Sequence, residues 1–399
     1  MRVRKQRRTT RYSPVTGDDN PLAYRFYRQQ QFAAKSSPLV SILCGLAADD
    51  LRAENSIGIW LKQVSSGRAA FDVPMLLMAA VHKLVLEKAP ETAGLAGFYR
   101  SAKGNKDPFS KELPSLFRNV LMANRQKAGR FIQQARVQTN ETGRGLCWLL
   151  PLCHTLWRGV HLVDLGASAG LNLLADMRNY RLTGSEAGSH TAEFGQAAAR
   201  QFVIFSEPLP HFLLQKQKIP DIFSRTGCDL HPCILDDADS EETLTAFVWG
   251  DQTERLKRLR EGVQCLQELK QQEGSVDLFT VDLPEELPLF LDRHIPDTRE
   301  PVILYNTYLV NYLQDKGVSL RNHIDRWAGR QGRPVLWLQM ELSREKQPPT
   351  RGYVLWQADL WHNGRHRHWF LGWCHPHLSH VLWLPGIFDF FHFFNGQAG

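Results

Sequence analysis

The segment HLVDLGASAGLNLL, His161 to Leu174, constrains the fold of this chain more than any other. A short apolar run that reads as a strand gives way to small residues, and these to a second apolar run. Gly166 and Gly170 let the backbone turn and let a ligand approach the main chain. A helix starting near Gly170 would offer unpaired N–H groups and a positive dipole end, which suit the polar groups of a nucleotide-type ligand. The plainer alternative is that both glycines serve only a tight turn and close packing of helix against sheet.

Downstream, VDLFTVD, PVILYN and PVLWLQMEL alternate with helical stretches, the pattern of a mostly parallel sheet. Asn363-Gly364 then joins two aromatic-rich runs, GYVLWQADLW and HRHWFLGW, as a hairpin turn. Upstream, from Pro21 to about Trp157, the patterns are helical; Asp72 is an N-cap with Pro74 in the first turn, and Leu76, Ala80 and Leu84 make a core stripe. The expected fold is α/β: a doubly wound, mostly parallel sheet with a C-terminal antiparallel hairpin, preceded by an all-α N-terminal domain. The expected divisions are a basic tail over 1–19, a helical domain over 20–157, a sheet domain over 158–385 with an insertion near 181–224, and an aromatic tail over 386–399. Within the insertion, Gly184 to Ala199 reads as an excursion from the sheet. The tail IFDFFHFFNG must pack on its own body or on a partner subunit, since it exposes many aromatics if left free.

At 399 residues the chain suits two domains, each able to bury a core. No apolar run approaches the ~20 residues needed to span a bilayer, and no signal-peptide core follows the N-terminus. Six basic residues in MRVRKQRRTTR account for most of the net charge of +7, leaving about +1 for the rest. The tail therefore reads as a solvated terminus, and a nucleic-acid groove is not indicated. Seven cysteines without a CxxC pair read as reduced thiols in a cytoplasm.

Asp164, two positions before the first glycine, makes the loop resemble motif I of class I S-adenosylmethionine-dependent methyltransferases, with Ser168 standing where that motif has its middle glycine. The resemblance implies S-adenosylmethionine as cofactor, held by Asp164, Gly166, Ala167, Ser168, Gly170 and Asn172, with Asp229 on the ribose hydroxyls and Asp282 on the adenine. Asp229 lies 63 positions beyond Gly166, whereas a dinucleotide fold puts its ribose acid about 20 past the glycines, so the stretch through QFVIFSEPLPH must occupy the difference. Asp229 and Asp282 have an equally simple reading as N-caps of the helices that follow. Asn306 and Tyr308, at the exit of PVILYN, should face a small-molecule acceptor; Asn140 and Arg144 in QTNETGR are further candidates, as a cap and as a carboxylate holder. The helical half would then roof the cofactor cleft.

Over Tyr24 to Trp383 the chain also resembles the bacterial DUF2332 family of unknown function. That likeness is carried by YRFYRQQQFAAKSSPLVSILCGLA, RVQTNETGR, LVDLGASAGLNLL, GCDLHP, FVWGDQTERLKRLR and WCHPH. In FVWGDQTERLKRLR, Asp251 reads as a cap and Glu254 and Arg258 as a surface pair.

Three other readings compete. The fold can serve as an inactive ligand-binding or interaction module. The loop satisfies GxSxG, which would make Ser168 the nucleophile of a serine hydrolase with Asp282 and His375, although no HGGG-type segment precedes it. Cys228, His231 and Cys233, with Cys374, His375, His377 and His380, match no strong zinc spacing, so no metal is expected. A homo-oligomer joined through the aromatic tail is the one protein partner suggested.

Overall fold

The computed structural model describes residues 20–138, 141–184, 186, 189–195, 201–207, 218–343 and 346–395. They divide into two compact units, one within Met1–Asn140 and Leu235–Lys257, the other within Glu141–Ile234 and Arg258–Gly399. The basic tail lies outside the described residues. Among those described, no helix is long and apolar enough to cross a membrane.

The first unit is helical: α1 (Pro21–Ala33), α2 (Pro38–Arg52), α3 (Ser56–Val64), α4 (Val73–Leu86), α5 (Thr92–Ala96), α6 (Leu113–Ala123) and α7 (Arg125–Gln134). Asn20 caps α1 by accepting from the Ala23 N–H at 3.1 Å, and Asn55 caps α3 through Ile57 and Gly58. The expected cap of α4 is absent: Asp72 has helical backbone angles and its side chain caps nothing. That helix carries no single stripe either, because almost every residue from Val73 to Val85 is buried. Asp251 is a cap, though for a helix over two hundred residues away in sequence. Its carboxylate accepts from Ser37 Oγ at 2.5 Å and from the Leu39 N–H at 3.1 Å, at the start of α2. Beside it, a Cβ on Gly250 would meet the Tyr99 ring at 2.2 Å, so only glycine lets this return segment lie so close.

The second unit is built on an 11-stranded mixed sheet. Its strands are β1 (Gly159–Leu165), β2 (Asn179–Thr183), β3 (Thr191–Gly195), β4 (Gln201–Glu207), β5 (Asp221–Asp229), β6 (Asp277–Thr280), β7 (Val302–Thr307), β8 (Val335–Glu341), β9 (Val354–His362), β10 (Arg365–Cys374) and β11 (His380–Trp383). The order across the sheet is β3-β2-β4-β11-β10-β9-β8-β7-β1-β5-β6. Pairing is parallel from β6 through β8 and at β2/β4 and β4/β11, and antiparallel at β2/β3, β8/β9, β9/β10 and β10/β11. The segment expected to leave the sheet in fact contributes β3, because Thr191–Gly195 finds a full antiparallel partner in Asn179–Thr183.

Every residue of β1 is buried. Val160 and Leu162 enter the core on one face and Val163 and Leu165 the core on the other, as expected of a strand covered on both sides. The first of these cores includes α8 (Leu146–Cys153), whose eight residues are all buried. The second includes α11 (Leu287–His294) and α12 (Val318–Ala328). The hairpin β9–β10 turns at Asn363 and Gly364, both at positive φ as the two-residue turn requires.

The aromatic tail folds as α13 (Gly386–Asn395) and packs on its own unit, with Ile387, Phe390, Phe391 and Phe394 buried in the same core as α8. Residues 396–399 lie outside the described set. Truncating Phe390 to alanine should lower the urea-unfolding free energy by about 3–5 kcal/mol, the cost of emptying a fully buried phenyl site. A loss below ~1 kcal/mol would show that α13 contributes little to the core.

Candidate functional site

The loop leaving β1 is tied to the neighbouring strand rather than left open. Gly166, at φ +87°, and Ala167 both donate their N–H to the Cys228 carbonyl, at 2.8 and 2.9 Å. Ser168 sits at φ +52°, unusual for a residue with a side chain; its N–H donates to Asp229 Oδ2 at 2.9 Å and its carbonyl accepts from Cys233 at 3.0 Å. The other Asp229 oxygen accepts from the His231 N–H at 2.9 Å. Asp229 therefore caps no helix; it shapes the loop. Gly170, at φ +70°, donates to the Ala167 carbonyl at 2.8 Å, and a Cβ there would meet Val276 at 2.8 Å.

The segment after Gly170 departs from expectation. Leu171–Met177 is a 3₁₀ helix, broken at Leu174, and no α-helix begins there. The N–H groups of Gly166, Ala167, Ser168 and Gly170 are already spent, so the site offers no row of free amides under an α-helix dipole.

Asp164 lies one residue inside the end of β1, 4% exposed, beside Tyr305 of β7, whose hydroxyl donates to its Oδ2 at 2.7 Å. Burial raises its pKa from 3.8 to about 7, the Tyr305 bond opposes this, and the Asp229 charge adds to it. Asp282 is exposed, two residues past β6, where its N–H and carbonyl bond Glu286 ahead of α11.

The exit of β7 brings together residues the sequence did and did not nominate. Asn306 is fully buried and faces inward: its Nδ2 donates to Glu341 Oε1 at 2.7 Å and its Oδ1 accepts from Trp337 Nε1 at 2.7 Å. Both polar ends are engaged in this packing, so Asn306 does not face an acceptor as expected. Glu341, at the end of β8, also accepts from the Leu309 and Val310 N–H groups, at 2.7 and 3.3 Å, and so fixes the backbone just beyond β7. Burial pushes its carboxyl up to about 7, against the pull of those donors and of Arg144.

Tyr308 has φ +59°, and Arg144 lies over its ring at 4.3 Å. The Arg144 Nε donates to the Pro376 carbonyl at 3.0 Å. Near these strand ends, two buried polar atoms have no partner among the described residues: Tyr308 Oη beyond β7 and Asn172 Oδ1 beyond β1. Buried polar groups without a partner are rare and point to a water or a ligand. Asn140 lies outside the described residues.

Glu141, just ahead of Arg144, is buried and was missed. It accepts from Arg258 Nε at 3.1 Å and lies 3.3 Å from His377 Nδ1. Arg258 is thus the partner of Glu141, and Glu254 pairs with Lys257 instead. For the hydrolase reading, the His375 Nδ1 already accepts from Ser379 Oγ at 3.0 Å and from the His377 N–H, while Asp282 belongs to the turn after β6, which is not the chain of bonds a triad needs. Glu341 could have been found in the sequence as a charged residue ending an apolar strand; Glu141 left no such signal.

A family model described as an uncharacterized protein conserved in bacteria (DUF2332) matches residues 23–383. No curated protein matches the chain, and no solved structure does.

Two outcomes test this geometry. The Asp164 carboxyl holds its proton to about pH 7 when folded but ionises near 3.8 when unfolded. Its contribution to stability is complete below the lower value and is lost as pH rises through the upper one. The urea midpoint of the wild-type chain should therefore fall more between pH 5 and 8 than that of Asp164→Asn; parallel curves would remove the buried acid as the cause. Tyr308→Phe, by deleting an orphaned hydroxyl, should leave the ligand-free protein equally stable or more stable by about 1 kcal/mol. A clear loss of stability would mean that the hydroxyl has a partner in the folded chain.

Proposed function

The chain belongs to the DUF2332 family, and from that membership we propose that its second unit is a class I S-adenosylmethionine-dependent methyltransferase-like domain acting on a small acceptor. One observation carries this reading. Taken in sheet order, the parallel strands β6-β5-β1-β7-β8 come third, second, first, fourth and fifth in the chain, so the order reverses between β1 and β7. In doubly wound sheets the ligand crevice lies beyond the carboxyl ends of the strands at that reversal. The glycine loop leaves β1 there, and Tyr308 leaves β7 beside it.

The side chains fit a polar ligand in part. Asp229 spends one bond from each carboxylate oxygen on loop amides and keeps acceptor capacity for ribose hydroxyls. Asp282 stands exposed beyond the third parallel strand, where it would meet an adenine amine. Asn172 Oδ1 and Tyr308 Oη are the buried atoms a ligand would satisfy. Ser168 in place of a glycine and the 3₁₀ helix after Gly170 make this an unusual member of such a class, in which side chains replace backbone amides as ligand contacts. The cofactor would supply the activated methyl group. The chain would supply placement: Tyr308, under Arg144, remains for the acceptor side now that Asn306 is turned inward, and alignment of the two partners is the main contribution such a site makes.

Calorimetric titration of the full chain with S-adenosylmethionine and with S-adenosylhomocysteine tests the proposal. Saturable binding is expected, and Asp229→Ala should weaken it by at least ~1 kcal/mol while far-ultraviolet circular dichroism stays unchanged. A folded protein that binds neither compound would sink the reading. Binding without methyl transfer to any acceptor would make the domain a ligand-binding module.

A further inference from the structure

A second polar site lies away from the glycine loop, on the face of β8, β9 and β10 that α8 does not cover. Register sets Trp337, Asp359 and His368 in one row across the three strands and Gln339, Gln357 and Phe370 in the next. The opposite face of the same strands is apolar, with Leu338, Trp356, Ala358 and Leu371 in the core. These rows line a cavity of about 440 Å³, bounded on one side by the start of α12.

Its centre is Asp359, whose side chain is 0% exposed. Oδ1 accepts from His366 Nε2 and His368 Nδ1, both at 2.9 Å; Oδ2 accepts from Gln339 Nε2 at 3.0 Å and Arg321 Nη2 at 3.1 Å. These donors hold its carboxyl below the ordinary value despite burial. A buried carboxylate adds little net stability over an apolar residue of like volume, so packing alone does not account for it. Its donors, by contrast, remain partly open: the side chains of Arg321, His366 and His368 are 36, 44 and 31% exposed.

We propose that this cavity is a binding site for a small anion carrying a phosphate or carboxylate group, recognised by Arg321, His366 and His368, with Asp359 as the residue that positions all three. Each imidazole gives one nitrogen to Asp359, which fixes its ring and leaves His366 Nδ1 and His368 Nε2 for a ligand. Arg321 lies flat over Trp337 at 4.7 Å and gives Asp359 one nitrogen, so the rest of its fork is available to an oxyanion. The Asp359 charge is enclosed by its own donors, and the side chains it presents outward are donors or cations. Lys316 stands on the rim with the same sign. The site requires no cofactor and stands whether or not the methyltransferase reading does.

Nuclear magnetic resonance of the full chain with isotope-labelled histidine reads His366 and His368 directly. Inorganic phosphate and succinate are titrated separately, with sodium chloride at matched ionic strength as the control. Expected are saturable shifts of both side chains with one of the two anions, which also tells phosphate from carboxylate recognition. Arg321→Gln, on a partly exposed side chain, should weaken that binding about tenfold or more, as loss of a charge-assisted contact does. Asp359→Asn should broaden or move both histidine signals before any anion is added; should it fail to fold, His368→Gln supplies the second variant and should weaken binding in its place. Shifts that chloride reproduces, or saturation unchanged in Arg321→Gln, would overturn the proposal.

Discussion

Strand β1 has no free face, and the second unit is organised by that fact. Apolar side chains cover it from above and below, so the one acid it carries, Asp164, must be held inside. Tyr305, directly across on β7, is the group that holds it. Because nothing can leave such a strand sideways, the chain exits at its carboxyl end, and there the turn is pinned to β5 by two amides on one carbonyl and a third on Asp229. Loop shape, the orientation of Asp229 and the depth of Asp164 all follow from the burial of a single strand.

The same problem recurs along the sheet and is solved the same way. Glu341 ends β8 with its oxygens on Asn306 and on two backbone amides, and Asp359 in β9 takes four side-chain donors. Each acid costs desolvation and returns definition: its partners have one arrangement that satisfies it and no near-equivalent. Glu341 fixes the backbone after β7, and Asp359 fixes two imidazoles and a guanidinium.

Local signals were legible in the sequence. The alternation of strands and helices, the Asn363-Gly364 turn and the apolar tail each rest on neighbours within a few residues, and each stands in the structure as read. Signals that depend on distant partners were not. Asp251 caps α2 from 212 positions downstream, Arg258 pairs with Glu141 across 117, and Asn306 turns inward because Trp337 and Glu341 wait on the next strand. Nothing near those residues in the chain announces these partners. The 3₁₀ helix after Gly170 is a subtler case, since LNLLADM has the apolar spacing of an ordinary helix and only its neighbours in space decide otherwise.

The pairing of β11 with β4 carries a consequence for how the protein is made. Strands β2, β3 and β4 join the rest of the sheet through three residues of β11, His380, Val381 and Leu382, reinforced by the Trp383 indole on Ser206 at 2.5 Å. During synthesis the outward edge of β4 exists some 175 residues before its partner does. A ribosome that stalled or ended anywhere in that interval would release an open strand edge, the kind that seeks another chain. Loss of the last few turns of this sequence is therefore a solubility defect before it is a stability defect.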